Sequence, residues 1–569
     1  MKRNTSPAKI KAAVKIEVNS MVKGSGIPNQ ARPSAIDAAH VDTPEPRFFL
    51  AKRPDRKRRI LESSDLVHSS RTRTRRQFLT QAGVATAAAL GSSVISLRGG
   101  GAASNVNTQT DAEALQEEQT CDVVIIGAGL SGLRTALLLQ AQGLDVLVVE
   151  AQERVGGRTL TVQLDQGAFI DHGGQWVSPD QPRIVSLAQD LGVSLFNSWG
   201  DGKTVFYLDG IRRVAPGIFL PNEGGARRAT ERAARVLTQM AADVPIDFPW
   251  TAPLAGPWDQ QTLNDWLATD VHIERARMVL ATAIQGIFWR NVSRTSLLAA
   301  LFWVHAGDPL NPFVMEETGP ERRFVGGAQQ LCLLMAARLG ARVKLDRPVN
   351  EVAQDADGVL VSATGLNVRA RHAVITLPPA LATRLRYIPA LPTQRDHLGQ
   401  HAPMHWAIKV HCVYPRRFWN LDAEHLSGSV QSDSGLFRTT ADNSPPSGSP
   451  GILVGFIEES EGLAFSSLSP EQRQSAVADE FARYFGPEAA NPIAYFEKNW
   501  GEDAFCRGID GSYWSPGVWT TYGPAIREPF GRLHWAGTET AGIWNGKMEG
   551  ALVAAERVAE EVMLALRRS

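Results

Sequence analysis

A chain of 569 residues with 43% apolar residues, 14 tryptophans and 50 glycines is long enough for two domains or one large composite unit around a substantial core. Its 59 basic and 59 acidic residues balance overall, but residues 1–103 hold 19 Lys and Arg against 7 Asp and Glu, leaving 40 against 52 in an acidic body, which argues against nucleic acid as a partner. Four cysteines, Cys121, Cys332, Cys412 and Cys506, show no paired or metal-ligand spacing, so neither a disulfide framework nor a metal site is expected.

Residues 1–70 read as a disordered basic extension, rich in Pro and Arg. In residues 71–104 the pair Arg75 and Arg76 precedes Phe-Leu, a short Ala- and Gly-rich apolar run, and then small residues. The run is short for a membrane span. The segment resembles a twin-arginine export signal, a receptor-read address rather than an anchor. That resemblance implies export in folded form, to a bacterial periplasm or beyond, with the export machinery as a partner. Some 70 residues ahead of such a signal suggest a start codon placed too far upstream.

From residue 121, CDVVIIGAGLSGLRTALLLQAQGLDVLVVE predicts a strand over 122–126, a glycine turn, a helix over about 130–142, and a second strand over 145–149 ending in an acid. Gly127, Gly129 and Gly132 form GxGxxG, and Glu150 follows the last glycine by 18 residues. Gly127 permits the tight turn, Gly129 lets backbone amides approach a pyrophosphate, Gly132 lets the helix pack on the strand, and Glu150 can accept from ribose hydroxyls. ERVGGRT at 153–159 and the glycine pair in FIDHGGQWVSPDQPRI at 169–184 resemble flavoproteins of the glutathione-reductase type and favour FAD over NAD. Further on, 223–243 and 262–306 have helical periodicity, and RVKLDRPVNEVAQDADGVLVSATG alternates around a DG turn as a hairpin does.

ERRFVGGAQQLCLLMAARLGARVKLDRPVNEV, AVITLPPAL, HWAIKVHCVYPRRFW and the terminal LHWAGTETAGIWNGKMEGALVAAERV resemble, in order, the flavin-containing amine oxidase family, the monoamine oxidases in particular. The resemblance implies an α/β fold: a Rossmann-type FAD-binding domain of the glutathione-reductase type from 119–198, 318–392 and 498–569, with an inserted α+β substrate domain from 199–317 and 393–497. Cofactor contacts carried over are Gly127, Gly129, Ser131, Gly132, Glu150, Arg158, Gly174, Gln175, Trp176, Val349, Trp500, Thr538 and Met548. Lys409, in AIKVHCV, matches the family lysine that holds a water against flavin N5, and Asp510, Phe313 and Trp176 fall at the substrate pocket. The implied reaction takes an amine to an imine and then a carbonyl compound, releasing ammonia or an amine. Oxygen or another electron acceptor reoxidises the flavin, with hydrogen peroxide the product from oxygen. A homodimer is left open.

Departures from the family pattern matter as much. Monoamine oxidases attach FAD through a cysteine nine residues after a tryptophan; here Ile509 stands nine residues after Trp500 and Cys506 falls three short, so FAD is expected to be noncovalent. The family's two tyrosines before the flavin are replaced by Asp510 and Lys547. Lys547 stands at a predicted helix entrance, where the dipole disfavours a cation by roughly 0.3–1 kcal/mol, so it either points into water, pairs with Asp510, or lends its charge to catalysis or recognition, the last reading being favoured. L-amino-acid oxidases carry an arginine soon after the second glycine pair, to fork onto a carboxylate. GGQWVSPD has none, and Arg290 is the candidate substitute. An amine without an α-carboxylate is therefore favoured over an L-amino acid, over a non-amine flavin oxidoreductase, and over a catalytically silent FAD-binding module.

Overall fold

A computed structural model describes residues 117–288, 291–307 and 321–568. The N-terminal extension, the arginine pair at 75 and 76, Arg290 and Phe313 lie outside the described residues.

An eight-stranded sheet is built around Glu117–Ile126, which runs parallel to Val146–Val149 on one side and Leu366–Ile375 on the other. Val123–Ile126 and Val146–Val149 are continuous buried apolar runs, as strands covered on both faces must be. Val343–Lys344 extends the sheet beyond Val146–Val149, and Leu533–Trp535 pairs in parallel with the end of Leu366–Ile375. The expected hairpin is Val349–Gln354 against Val359–Ala363. Because the central strands are parallel, their carboxyl ends meet at one edge. Gly127 N–H donates to the Val149 carbonyl, Thr376 N–H to Ile126 and Ala536 N–H to Ile375. That edge is where ligands bind in open α/β sheets.

The seven-stranded second sheet has the order Ala494–Asn499, Ala407–Tyr414, Gly451–Glu458, Thr439–Asp442, Leu426–Ser432, Lys203–Leu208, Ile211–Ala215. Its strand Ala407–Tyr414, second from one edge, is buried throughout. Val410 and Cys412 pack with Phe481, Tyr484 and Phe485 of the helix Pro470–Phe485; Lys409 and His411, one residue out of phase, point to the opposite face. The strand Ala494–Asn499 straddles residue 498, where the sequence places the start of the last cofactor segment. It belongs to the second sheet because its edge pairs with Ala407–Tyr414.

The helical stretches become Gly224–Ala241, then Leu263–Asp270, Glu274–Phe288 and Leu297–His305. Thr262 and Ser296 accept from backbone N–H groups at two of the starts and cap them. Trp514 and Trp519 join this helical core, so part of the chain after residue 498 serves it too. Along the final helix Met548–Leu566, buried Glu549 caps another helix, accepting from Arg183 N–H at 3.1 Å and Ile184 N–H at 2.8 Å, an anion at a positive helix end.

Candidate active site

A cavity of about 1170 Å³ extends from the carboxyl edge of the first sheet to one face of the second. At the first sheet the backbone itself forms the wall. Gly127 has φ +107°, and a Cβ on it would sit 2.5 Å from Thr376 Oγ1; a Cβ on Gly132 would sit 2.0 Å from the Gly127 carbonyl oxygen. Gly129 differs, because a Cβ there meets nothing closer than 3.9 Å. The space above it is left to a ligand lying against bare backbone at the start of the helix Leu130–Ala141.

Glu150, 6% exposed, accepts Ala128 N–H at 2.7 Å and Gln152 N–H at 2.9 Å. Burial raises its carboxyl above the usual range and these bonds oppose the rise. Each oxygen keeps a lone pair, and the group lines the cavity beside Val349. Ser131 Oγ accepts Gly537 N–H at 3.1 Å, joining the turn to the C-terminal segment. This cradle fits a dinucleotide.

Arg158 makes a fork with Glu539, at 2.7 and 3.1 Å, and also donates to the Asp510 carbonyl at 3.1 Å. Glu539 lies in the AGTET motif, but no pairing with Arg158 is readable from sequence. Thr538 Oγ1 donates to the Lys547 carbonyl at 2.8 Å. Gly174 is packed against Met548, whose Cγ and Sδ would stand 3.4 Å from an added Cβ. Trp500, 1% exposed, donates to the His172 carbonyl at 2.8 Å.

Lys409 Nζ donates to Gln175 Oε1 at 2.6 Å and to the Gly173 carbonyl at 3.0 Å, and lies 5.2 Å from the Trp176 ring centre and 5.4 Å from that of Phe456. Gln175 is fixed in turn by Asn443, at 2.7 Å. Burial lowers the Lys409 amine to about 7; Asp171 and Asp510 pull it up, Arg323 pushes it down. His172 and His411 meet edge to face at 5.3 Å on the same side, both held neutral by burial and by the Lys409 charge. Phe456 and Arg323 come from other strands and His172 from the bend after Phe169–Asp171, while His411 shares the strand of Lys409; none of the four was singled out by the sequence.

Lys547 is the N-cap residue of Met548–Leu566 and lines the cavity. Its Nζ stands 3.4 Å from Asp510 Oδ2, with the two side chains 20% and 24% exposed. Glu321 also lines the cavity; it is open to solvent there yet deep enough that desolvation raises its carboxyl, while the Lys547 charge pulls it down. Ile509 and Cys506 both line the cavity, and burial, followed by Asp503, pushes the Cys506 thiol up to about 12.

Comparison with known proteins gives this geometry a family. A family model described as flavin containing amine oxidoreductase matches residues 130–563, and one described as pyridine nucleotide-disulphide oxidoreductase matches residues 84–168. A flavin-containing amine oxidase of Oncorhynchus mykiss is 34% identical over 455 residues, covering 79% of this chain and 87% of the relative. An L-amino acid dehydrogenase of a Synechocystis strain is 31% identical, covering 78% and 95%. The solved structure of a wild-type putrescine oxidase bound to putrescine aligns with a TM-score of 0.74 at 32% identity, over 79% of this chain and all of that one. An α/β flavoprotein frame, a glycine cradle, and a cavity shared between two sheets thus coincide with relatives that act on amines: the chain belongs to the flavin-containing amine oxidoreductases, enzymes that oxidise small amines with FAD.

Proposed function

We propose that the chain oxidises an amine without an α-carboxylate, using FAD held noncovalently. FAD supplies the two-electron acceptor for the hydride equivalent leaving the α-carbon. Gly127, Gly129, Gly132, Ser131, Glu150, Arg158 and Val349 hold its nucleotide portion. Gly174, Gln175, Trp176, Trp500, Thr538 and Met548 hold the ring portion. The observation that carries the reading is Lys409: a buried amine lowered to about 7, fixed by Gln175 and Gly173 and flanked by two aromatic rings. Near neutrality it holds a water or takes up a proton at Nζ. Asp510 and Glu321 beside Lys547 place two carboxylates around one ammonium, an arrangement that favours a neutral or cationic substrate. The described arginines of the cavity, Arg158, Arg347 and Arg384, all fall in the cofactor segments 119–198 and 318–392, which supports an amine over an amino acid. The imine leaves and water hydrolyses it to a carbonyl compound.

Anaerobic mixing of the yellow holoenzyme with a broad panel of amines and L-amino acids tests this. Bleaching by amines, with peroxide formed when oxygen is admitted, is expected. Bleaching by amino acids alone transfers the protein to the amino-acid oxidases, and a protein that stays yellow with the whole panel loses the oxidase reading.

Noncovalent binding is supported by Ile509 at the attachment position and by the protonated Cys506 thiol. Acid precipitation is expected to leave a colourless pellet, and colour retained on the polypeptide would implicate Cys506. The arginine pair supports export of the folded, FAD-loaded enzyme to the periplasm or beyond. Arg75→Lys with Arg76→Lys is expected to strand active enzyme in the cytoplasm; unaltered exported activity would refute that part.

A further inference from the structure

The face of the second sheet that meets the cavity carries a row of side chains set by strand register. Lys409 stands opposite Phe456. In the next strand Thr440 is opposite Gly455, which puts Thr439 beside Phe456 on the same face. Gln431 is opposite Thr439, and Ser429, two residues earlier, shares its face. Val410 and Val430 fill the other face, in the core. The row therefore passes from the amine of Lys409 through an aromatic ring to a hydroxyl, an amide and a second hydroxyl.

Ser429, Gln431 and Thr439 are half-buried and line the cavity. Their side chains have no hydrogen-bond partner among the described residues. Ser198 lines the cavity as well, its N–H donating to the Glu321 carbonyl at 2.8 Å, and its Oγ is buried without a partner. Four neutral hydrogen-bonding groups thus face one volume, with Trp199 and Ile218 supplying apolar wall. A purely hydrocarbon substrate would desolvate these groups and pair none of them, a penalty that a matching ligand avoids. Among the described residues no cation belongs to this group of four, and Lys547 lies next to a carboxylate, so an anionic substrate gains little. A hydroxyl both donates and accepts, and so matches the amide of Gln431 and the hydroxyls alike.

We propose that the amine oxidised at this site is a hydroxylated one, an amino alcohol or amino sugar whose neutral hydroxyl groups are held by Ser198, Ser429, Gln431 and Thr439 while its amine lies toward Lys409. This rests on the reading of the cavity as an amine-oxidising site and names the substrate class for it. Gln431 and Thr439 are specificity-determining residues in this arrangement.

The test compares anaerobic flavin reduction of the holoenzyme by amines matched in size, aminopentanol against hexylamine, together with longer amino alcohols and their methyl isosteres. A site that hydrogen-bonds a substrate hydroxyl rejects the analogue lacking it, so a kcat/KM ratio of roughly tenfold or more in favour of the amino alcohols is expected. Gln431→Leu and Thr439→Val, each checked for full flavin content, should bring that ratio toward one. Hexylamine reacting as well as or better than aminopentanol overturns the inference while leaving the amine-oxidase reading intact. A preference that persists in both variants overturns the assignment to these residues. Failure of both amines along with a wide amine panel takes down the oxidase reading and this inference with it. Should a variant lose its flavin, the wild-type ratio still decides the substrate class.

Discussion

At the cofactor end of the cavity, Gly127, Gly129, Gly132, Glu150 and Arg158 come from one continuous stretch of chain. At the substrate end, Lys409, Phe456, Thr439 and Gln431 come from four different strands, and Lys547 meets Asp510 across 37 residues. The difference follows from what each end recognises with. A pyrophosphate is approached by backbone, so the absence of side chains at fixed spacing is itself the signal. A substrate is met by side chains whose neighbours are decided by strand register and loop placement, and these impose no spacing in sequence.

The sharpest way to break the comparison is to fill the glycine positions. Gly132→Ala puts a Cβ 2.0 Å from the Gly127 carbonyl oxygen, a backbone atom that cannot move aside. Loss of flavin and a destabilisation of about 3 kcal/mol are expected, in the range of strained core substitutions. Gly129→Ala meets nothing within the chain closer than 3.9 Å, so the apoprotein should melt as wild type does while flavin content falls. Absorbance of the purified proteins and thermal melts separate the two. A yellow, normally melting Gly132→Ala protein would show that the helix does not pack as described.

Much of the first sheet was legible for this reason. The glycine turn, the strand on either side and the DG hairpin rest on local rules, and each stands where expected. The run over 262–306 carried helical periodicity but not its breaks, which fall where Thr262 and Ser296 cap separate helices. Lys409 was legible only because its strand resembles a known family. The ring of Phe456 against it, the fork of Glu539 on Arg158, and the buried Asp171 with Arg323 at 3.7 Å were not. Nothing in the spacing of those residues brings them together; pairing between distant strands does. The same applies to Ala494–Asn499, whose place in the second sheet is fixed by its edge partner and by no feature of its own sequence.

Lys409→Met acts at the join between the two ends and should leave FAD bound. It removes the Nζ that holds a water or proton, so flavin reduction or its reoxidation by oxygen is expected to slow by about tenfold or more, some 1.4 kcal/mol in the barrier. The pH dependence has a definite sign. Burial lowers the amine from 10.5 to about 7, so between those values the unfolded chain binds a proton that the folded chain does not. Stability therefore rises with pH through that window, and falls again as pH drops toward 7. Denaturation curves of the Lys409→Met protein should lose this slope relative to wild type, and its reduction rate at saturating amine should lose any limb near pH 7. Unchanged rates in both half-reactions would make Lys409 a structural residue.

The smallest effect belongs to Lys547, and it sharpens the comparison because here a residue of the final cofactor motif turns toward the substrate. At the start of a helix its charge is opposed by the dipole, by roughly 0.3–1 kcal/mol. The Asp510 carboxylate at 3.4 Å and the nearby Glu321 offset that. Both partners of the pair are partly exposed, at 20% and 24%, so solvent screening holds the pair to about 0–1 kcal/mol. Lys547→Ala should accordingly change stability by less than about 1 kcal/mol, because the lost ion pair and the relieved dipole oppose each other. Its kinetic effect has no such cancellation. Removing the ammonium leaves Asp510 and Glu321 as uncompensated carboxylates facing the cavity and takes the downward pull off the Glu321 pKa. A several-fold change in KM or kcat is expected with FAD content intact, together with an upward shift of the acidic limb of the kcat/KM profile if Glu321 titrates there. Asp510→Asn in the same background measures the coupling: a double-mutant cycle with no coupling in kcat/KM, alongside wild-type kinetics for Lys547→Ala across the pH range, would reduce Lys547 to a surface lysine at a helix entrance.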